Sequence, residues 1–223
     1  MNYILSYPRS GSTWIRYCLE FMTKRPTVGS YSKHKKGHHS NVIGSLKNIG
    51  VDLGKNPIFV RTHSPKGIKD VSGKLVFLIR NYKEVIIRHH NLKQEKNPMK
   101  LIKNNLIGLE QGSNYMDLIS FFDNYNGEKL IIYYEDLIEN PTETISILAD
   151  FVCAEKKFLS ELLSNLEEHK KNSLSVYKKS ETQGKRKTSH SSILSHQNKE
   201  NLDLFVRDNN AELYEKYLIR YAE

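Results

Sequence analysis

The chain has 223 residues, 38% of them hydrophobic and 26% charged, with a formal net charge of +9. That length accommodates a single domain, residues 1–223, with a full core, and no run of about 18 apolar residues is present, so no membrane span is expected. The charge points to an anionic partner and leaves nucleotide, sulfated or phosphorylated substrate, nucleic acid and membrane surface open. The first residues lack the basic segment and long apolar stretch of a secretory signal, which makes the cytoplasm the expected location. Cys18 and Cys153 lie far apart in apolar helical patterns. They are expected as buried thiols, and two cysteines alone make no zinc site.

In chain order, residues 2–7 are β-prone and mostly apolar, and Pro8 to Ser12 form a turn of small residues. From Thr13 the period changes: Trp14, Ile15, Cys18, Leu19 and Met22 share one helical face. A strand, a small-residue loop and a helix bring free backbone N–H groups and a positive dipole end to one point, which suits phosphate or sulfate. Arg9, Ser10, Ser12 and Thr13 add side-chain donors there, beside Gly11.

Residues 24–54 are rich in Gly, Ser, Lys, His and Asn and read as a basic loop, either a solvated surface or a lid. Its His34, His38 and His39 make a poor metal site, because the flanking lysines repel a cation and no cysteine or carboxylate assists. Residues 57–63 read as a second strand whose end presents Arg61 and His63. Residues 74–79 are nearly all apolar, the mark of a central parallel strand. Arg80 then stands at its carboxyl end, where open α/β sheets bind ligands. A purely structural Arg80 requires a carboxylate partner nearby in space.

Helices are predicted over 82–91, 96–111 and 115–125, a strand over 128–134, and helices over 140–151 and 158–169. Pro141 suits a first helical turn. Residues 173–192 form a polar, flexible tract containing Gly184-Lys185-Arg186-Lys187, and an amphipathic helix over 197–221 closes the chain. Strands alternating with helices imply an α/β fold, a P-loop-like parallel sheet covered on both faces.

A triphosphate-handling loop needs Gly-x-x-x-x-Gly-Lys-Ser/Thr. Here Ser12 and Thr13 follow Gly11, so that lysine is absent, and the buried strand ends in Arg80 rather than a magnesium-holding Asp. Sulfuryl transfer fits better, since cationic side chains and backbone N–H groups can replace a metal. Its donor, 3′-phosphoadenosine 5′-phosphosulfate, carries phosphate at two ends and needs two cationic sites; the Arg9 loop and the Arg80 region supply them. A neutral His near the cradle suits the removal of a proton from an acceptor hydroxyl.

These segments resemble the sulfotransferase family in four places and in order. Tyr7-Pro8-Arg9-Ser10-Gly11-Ser12-Thr13-Trp14 is similar to the family's Tyr-Pro-Lys-Ser-Gly-Thr-Thr-Trp loop, and Arg61-Thr62-His63-Ser64-Pro65 to its Lys-Thr-His-Leu-Pro segment. Val76 to Asn81 resembles the strand that delivers an Arg to the 3′-phosphate, and Tyr133 to Leu137 the Tyr-Glu-Asp-Leu strand. The resemblance implies that Arg9 and Ser10 to Thr13 contact the 5′-phosphosulfate, that Trp14 lies against the adenine, that His63 is the base, that Arg61 touches the sulfuryl group and that Arg80 binds the 3′-phosphate. It implies no metal.

The chain departs from the pattern in three places. Arg88 stands where the family has a 3′-phosphate Ser, Tyr82 replaces a Pro, and the late Arg-Lys-Gly…Gly-Asp-Trp-Lys segment has no clear counterpart. Lys185, Arg186 and Lys187 lie in that region, either closing over the 3′-phosphate or forming a solvated run. The acceptor is read as a polar hydroxyl compound such as a glycan, with no nucleic acid expected. The alternatives are a non-catalytic polyanion or nucleic-acid binder on the same fold, or a kinase-like P-loop enzyme.

Overall fold

The computed structural model describes residues 1–29, 46–92, 95, 97–108, 114–176 and 190–223. The basic runs around Lys33 and Lys185, with His34, His38, His39, Lys185, Arg186 and Lys187, lie outside the described residues.

Five strands form one sheet: β1 (Tyr3–Ser6), β2 (Thr27–Gly29), β3 (Phe59–Thr62), β4 (Leu75–Ile79) and β5 (Lys129–Tyr133), in the order β2-β3-β1-β4-β5. All four pairings are parallel, with Leu5 opposite both Thr62 and Phe77. Side chains alternate across a strand, so the apolar runs of β1 and β4 feed two cores at once. Tyr3, Leu5, Leu75, Phe77 and Ile79 face one way, toward helices α2 (Tyr82–His90), α3 (Pro98–Leu106), α4 (Tyr115–Asp123) and α9 (His196–Asn209). Ile4, Val76 and Leu78 face the other, toward α1 (Ser12–Thr23), α6 (Pro141–Phe151) and α7 (Lys156–Ser164). A sheet covered on both faces was the expected architecture, and the all-apolar β4 lies fully buried between β1, the middle strand, and β5.

Elsewhere the structure departs from the sequence reading. The stretch read as a basic loop contains β2, held by a buried network in which Arg16 Nε donates to Thr27 Oγ1 at 2.7 Å and Thr27 N donates to Glu20 Oε1 at 3.0 Å. The helix expected over 158–169 is two helices, α7 and α8 (Leu166–Val176), broken at Asn165, whose backbone leaves the helical region. Residues 173–176, read as part of a polar tract, extend α8. The C-terminal helix stops at Asn209; Asn210 at φ −160° breaks it and caps the next turn by accepting from Leu213 N. Cys18 is buried, and burial pushes its thiol well up. Cys153 is exposed, against expectation. It takes the left-handed position (φ 54°) that closes α6, with Ala154 N donating to Ala149 O at 2.9 Å and Cys153 N to Asp150 O at 3.1 Å. That pair of bonds is a Schellman stop, which turns the side chain outward.

A buried ion pair fastens the C-terminal segment to α2. Lys83 is wholly buried and donates to Asp203 Oδ2 at 2.9 Å and to the Tyr221 carbonyl at 2.7 Å, while Tyr82 also hydrogen-bonds Asp203. Removing one partner strands a buried charge, at a cost of about 3–5 kcal/mol, whereas a well-packed apolar pair of similar volume is close to neutral. Asp203→Ala is therefore expected to lower the urea-derived unfolding free energy by about 3 kcal/mol. The Lys83→Met/Asp203→Leu double variant should recover most of that loss.

Candidate active site

All strands are parallel, so their carboxyl ends open on one edge. From β1 the chain crosses back to β2, whereas β3 and β4 lead on to β4 and β5. This reversal beside β1 makes the crevice in which open α/β sheets take ligands.

The β1–α1 loop turns on two left-handed residues, Arg9 at φ 73° and Gly11 at φ 95°. Successive N–H groups in such a loop converge into an anion-binding concavity. Gly11 is required twice over: its φ disfavours an L side chain, and a Cβ there would stand 2.6 Å from Tyr134 Cδ2. No side chain among the described residues caps α1 and no acidic residue lies in its first turn, so no local side chain there offsets its positive end. Ser10 Oγ is buried without a hydrogen-bond partner among the described residues. Ser12 and Thr13 open α1, and Arg9 is exposed beside them. Trp14 is half-buried with one ring face stacked on Tyr17 (centroids 5.6 Å apart, planes 17°), which leaves its other face for a second contact.

Arg80 follows β4 directly. Its Nη1 donates to the Arg9 carbonyl at 3.3 Å, and its guanidinium lies 4.1 Å from the centroid of the Tyr134 ring. Tyr134 is thus a wedge between the Gly11 turn and Arg80, a position no local pattern announced; the sequence reading left it in the strand core. No carboxylate pairs with Arg80 among the described residues, and its buried Nε has no hydrogen-bond partner there. The structural alternative for Arg80 required such a carboxylate. The nearby acids are engaged elsewhere: Glu135 accepts from Asn81 N at 3.1 Å and Tyr221 OH at 2.7 Å, and Asp136 accepts from Arg220 at 2.6 Å. Tyr115 OH fixes the Arg80 carbonyl at 2.5 Å.

Arg88 lies half-buried in the last turn of α2, one turn beyond Glu84 on the same face. Glu84 accepts from His190 N at 2.8 Å and Ser191 N at 2.9 Å. The chain leaving the basic run around Lys185 is therefore pinned to the face that carries Arg88.

His63 stands one residue past β3. Its Nδ1 lies 2.7 Å from the Ser6 carbonyl, which can only accept, so Nδ1 carries the hydrogen and Nε2 keeps the lone pair. Nε2 accepts from Arg61 Nη1. Burial, and then the Arg61 charge, push the imidazole pKa down to about 4 against the pull of the Ser6 carbonyl. The ring is therefore neutral at pH 7. The loop, Arg80, Arg61 and His63 thus come together from the ends of β1, β4 and β3.

Comparison with known proteins places the whole domain. The model of the sulfotransferase domain matches residues 3–218. Sulfotransferase 1E1 of Rattus norvegicus is 26% identical over 189 residues, 74% of this chain and 62% of that protein. Sulfotransferase 1B1 of Canis lupus familiaris is 25% identical over 187 residues with the same coverage. The chain therefore spans a little under two thirds of the length of these relatives. Among solved structures, mouse sulfotransferase SULT7A1 complexed with PAP superposes with a TM-score of 0.62 at 14% identity, covering 95% of this chain and 84% of that one, which shows a shared fold. With its domain model matched almost end to end, this chain belongs to the sulfotransferase family.

Proposed function

We propose that this chain moves the sulfuryl group of 3′-phosphoadenosine 5′-phosphosulfate to a hydroxyl of a polar acceptor such as a glycan. The reading rests on one observation. A capless helix start, an arginine with no carboxylate partner among the described residues and a neutral histidine with its lone pair on Nε2 share one sheet edge.

The 5′-phosphosulfate lies on the loop, taken by the N–H groups at Gly11, Ser12 and Thr13, by the hydroxyls of Ser10, Ser12 and Thr13 and by the Arg9 guanidinium. Arg80 takes the 3′-phosphate, and Tyr134 holds its guanidinium flat and in place. Arg88, Lys185 and Arg186 add charge at that end, and Trp14 offers its open face to the adenine. Sulfur is attacked in line by the acceptor oxygen. The new S–O bond forms as the bond to the 5′-phosphate oxygen breaks, and the acceptor proton passes to His63 Nε2. Adenosine 3′,5′-bisphosphate leaves with the electron pair of the broken bond, and Arg9 stabilises the charge that develops there.

Arg61 has two places in this scheme. In the free protein it occupies the His63 lone pair. When the donor arrives, its guanidinium moves onto the sulfuryl oxygens, which frees Nε2 for the acceptor. The same negative charge raises the basicity of His63, because an anion nearby favours the imidazolium.

Calorimetric titration with adenosine 3′,5′-bisphosphate tests the donor site. Arg80→Ala should weaken that ligand at least about tenfold, the value of one charged contact, and adenosine 5′-phosphate much less. Equal losses on both ligands would reject the assignment. A general polyanion binder would instead be indifferent to the 3′-phosphate and steeply salt-dependent.

His63→Ala should keep donor-product affinity and lose turnover by about 10²–10⁴-fold; near-normal turnover removes His63 as the base. By NMR the His63 ring should titrate near pH 4 in the free protein and higher with adenosine 3′,5′-bisphosphate bound. Its folded pKa lies below the value of about 6.5 of an unfolded chain. The stability linked to it is therefore complete above that pH and falls away as pH drops toward 4. Melting curves of His63→Gln should accordingly fall less steeply with acid over that window.

A further inference from the structure

Beside the proposed catalytic groups lies a polar cluster that the donor does not use. We propose that Tyr7, His89, His90 and Asn105 form the acceptor edge of the site and take an uncharged, polyhydroxylated acceptor of the saccharide class; this rests on the donor and base assignments above.

Position is the first argument. Tyr7 immediately follows Ser6, whose carbonyl holds His63, and precedes the Arg9 loop. The Tyr7 hydroxyl lies 3.2 Å from His90 Nε2 and 3.4 Å from Asn105 Oδ1, and its ring meets that of His89 edge-on at 5.8 Å. His89 and His90 pack at 4.5 Å and are both exposed at the end of α2. Burial, then His90 and Arg9, push the His89 imidazole down, and a protonated His89 would repel a protonated His63, so the cluster stands within electrostatic reach of both cradle and base.

Chemistry is the second argument. Histidines in the last turn of a helix are ordinarily held protonated by the dipole. Here partial burial, and for His89 also His90 and Arg9, push both imidazoles down, so both are neutral at pH 7. Tyr7 is buried, with its hydroxyl held by His90 and Asn105 and the Asn105 amide held by the Leu101 carbonyl, so the exposed, neutral imidazoles present the donors and acceptors of the cluster, without net charge. That inventory matches sugar hydroxyls, each of which both donates and accepts. An anionic acceptor would find no fixed cation among these four residues.

The test uses the full chain saturated with adenosine 3′,5′-bisphosphate and titrated with uncharged trisaccharides (chitotriose and maltotriose) or with p-nitrophenol, following histidine ring signals by NMR. A trisaccharide should shift the His89 and His90 signals. His89→Ala/His90→Ala should weaken its binding at least tenfold, with bisphosphate affinity and melting temperature unchanged. The conservative His90→Asn, which can keep the bond to Tyr7, should retain more than half of the lost affinity. Three results overturn the inference: no trisaccharide binding, saccharide affinity unchanged in the double variant, or ring shifts produced by p-nitrophenol alone. Failure of the wild-type chain to bind the bisphosphate shows up in the separate calorimetric titration and overturns the donor reading instead.

Discussion

The parallel pairing of β1 with both β3 and β4 is the constraint on which everything else rests. It sets Leu5 between Thr62 and Phe77, so the residues just past these strands emerge side by side. His63 reaches the Ser6 carbonyl and Arg80 the Arg9 carbonyl because of that register and for no local reason. A one-residue slip of β3 would turn every β3 side chain to the opposite face and carry His63 away from the Ser6 carbonyl. The two-faced core defends the register: Leu75, Phe77 and Ile79 on one side and Val76 and Leu78 on the other cannot exchange faces without emptying both cores.

The edge that this pairing creates is left positively charged. Buried cations elsewhere in the protein are matched, as Lys83 is by Asp203 and Arg16 by Glu20. Around the crevice the acids Glu135 and Asp136 are directed to Asn81 N, Tyr221 and Arg220. An uncompensated charge costs stability when desolvated, and the structure limits that cost by stacking Arg80 on an aromatic face, where a cation is attracted to the ring. A neutral His63 follows first from its burial and then from the same field, since the Arg61 cation on its flank makes protonation costlier still. An arriving dianion would relieve both effects together, which is why the proposed donor site and the proposed base form one electrostatic unit.

What could be read in the sequence depended on how local its cause was. β4 and the helices after Asn81, Asn114 and Asn140 carry their own signals: unbroken apolar runs, capping asparagines and a Pro at a first turn. The four ordered motifs likewise sit at strand ends, where local punctuation marks them. β2 was missed because its three residues owe their place to Arg16 and Glu20 on α1 rather than to their own pattern. Cys153 was misplaced because the Schellman turn that exposes it uses a non-glycine in the left-handed position, against the usual preference. The wedge of Tyr134 and the cluster around Tyr7 were invisible for a further reason: each joins residues from separate strands and helices, and only the packed sheet brings them together.

α2 carries the consequences of this packing to both ends of the site. Arg80 and Asn81 lead into it, Lys83 roots it in the protein, and Glu84 pins the chain after the late basic run. At about 3.6 residues per turn, successive side chains leave a helix roughly 100° apart. Arg88 therefore shares the face of Glu84, whereas His89 is turned toward Tyr7 and Arg9. Helix geometry thus separates a substitution at position 88 from the proposed acceptor edge, and one at position 89 from the proposed donor end. The arginine that replaces the family's serine at position 88 need not disturb acceptor choice. The proposed contact of Arg88 with the 3′-phosphate belongs to the Glu84 face, and the proposed histidine-lined acceptor edge to another face of the same helix.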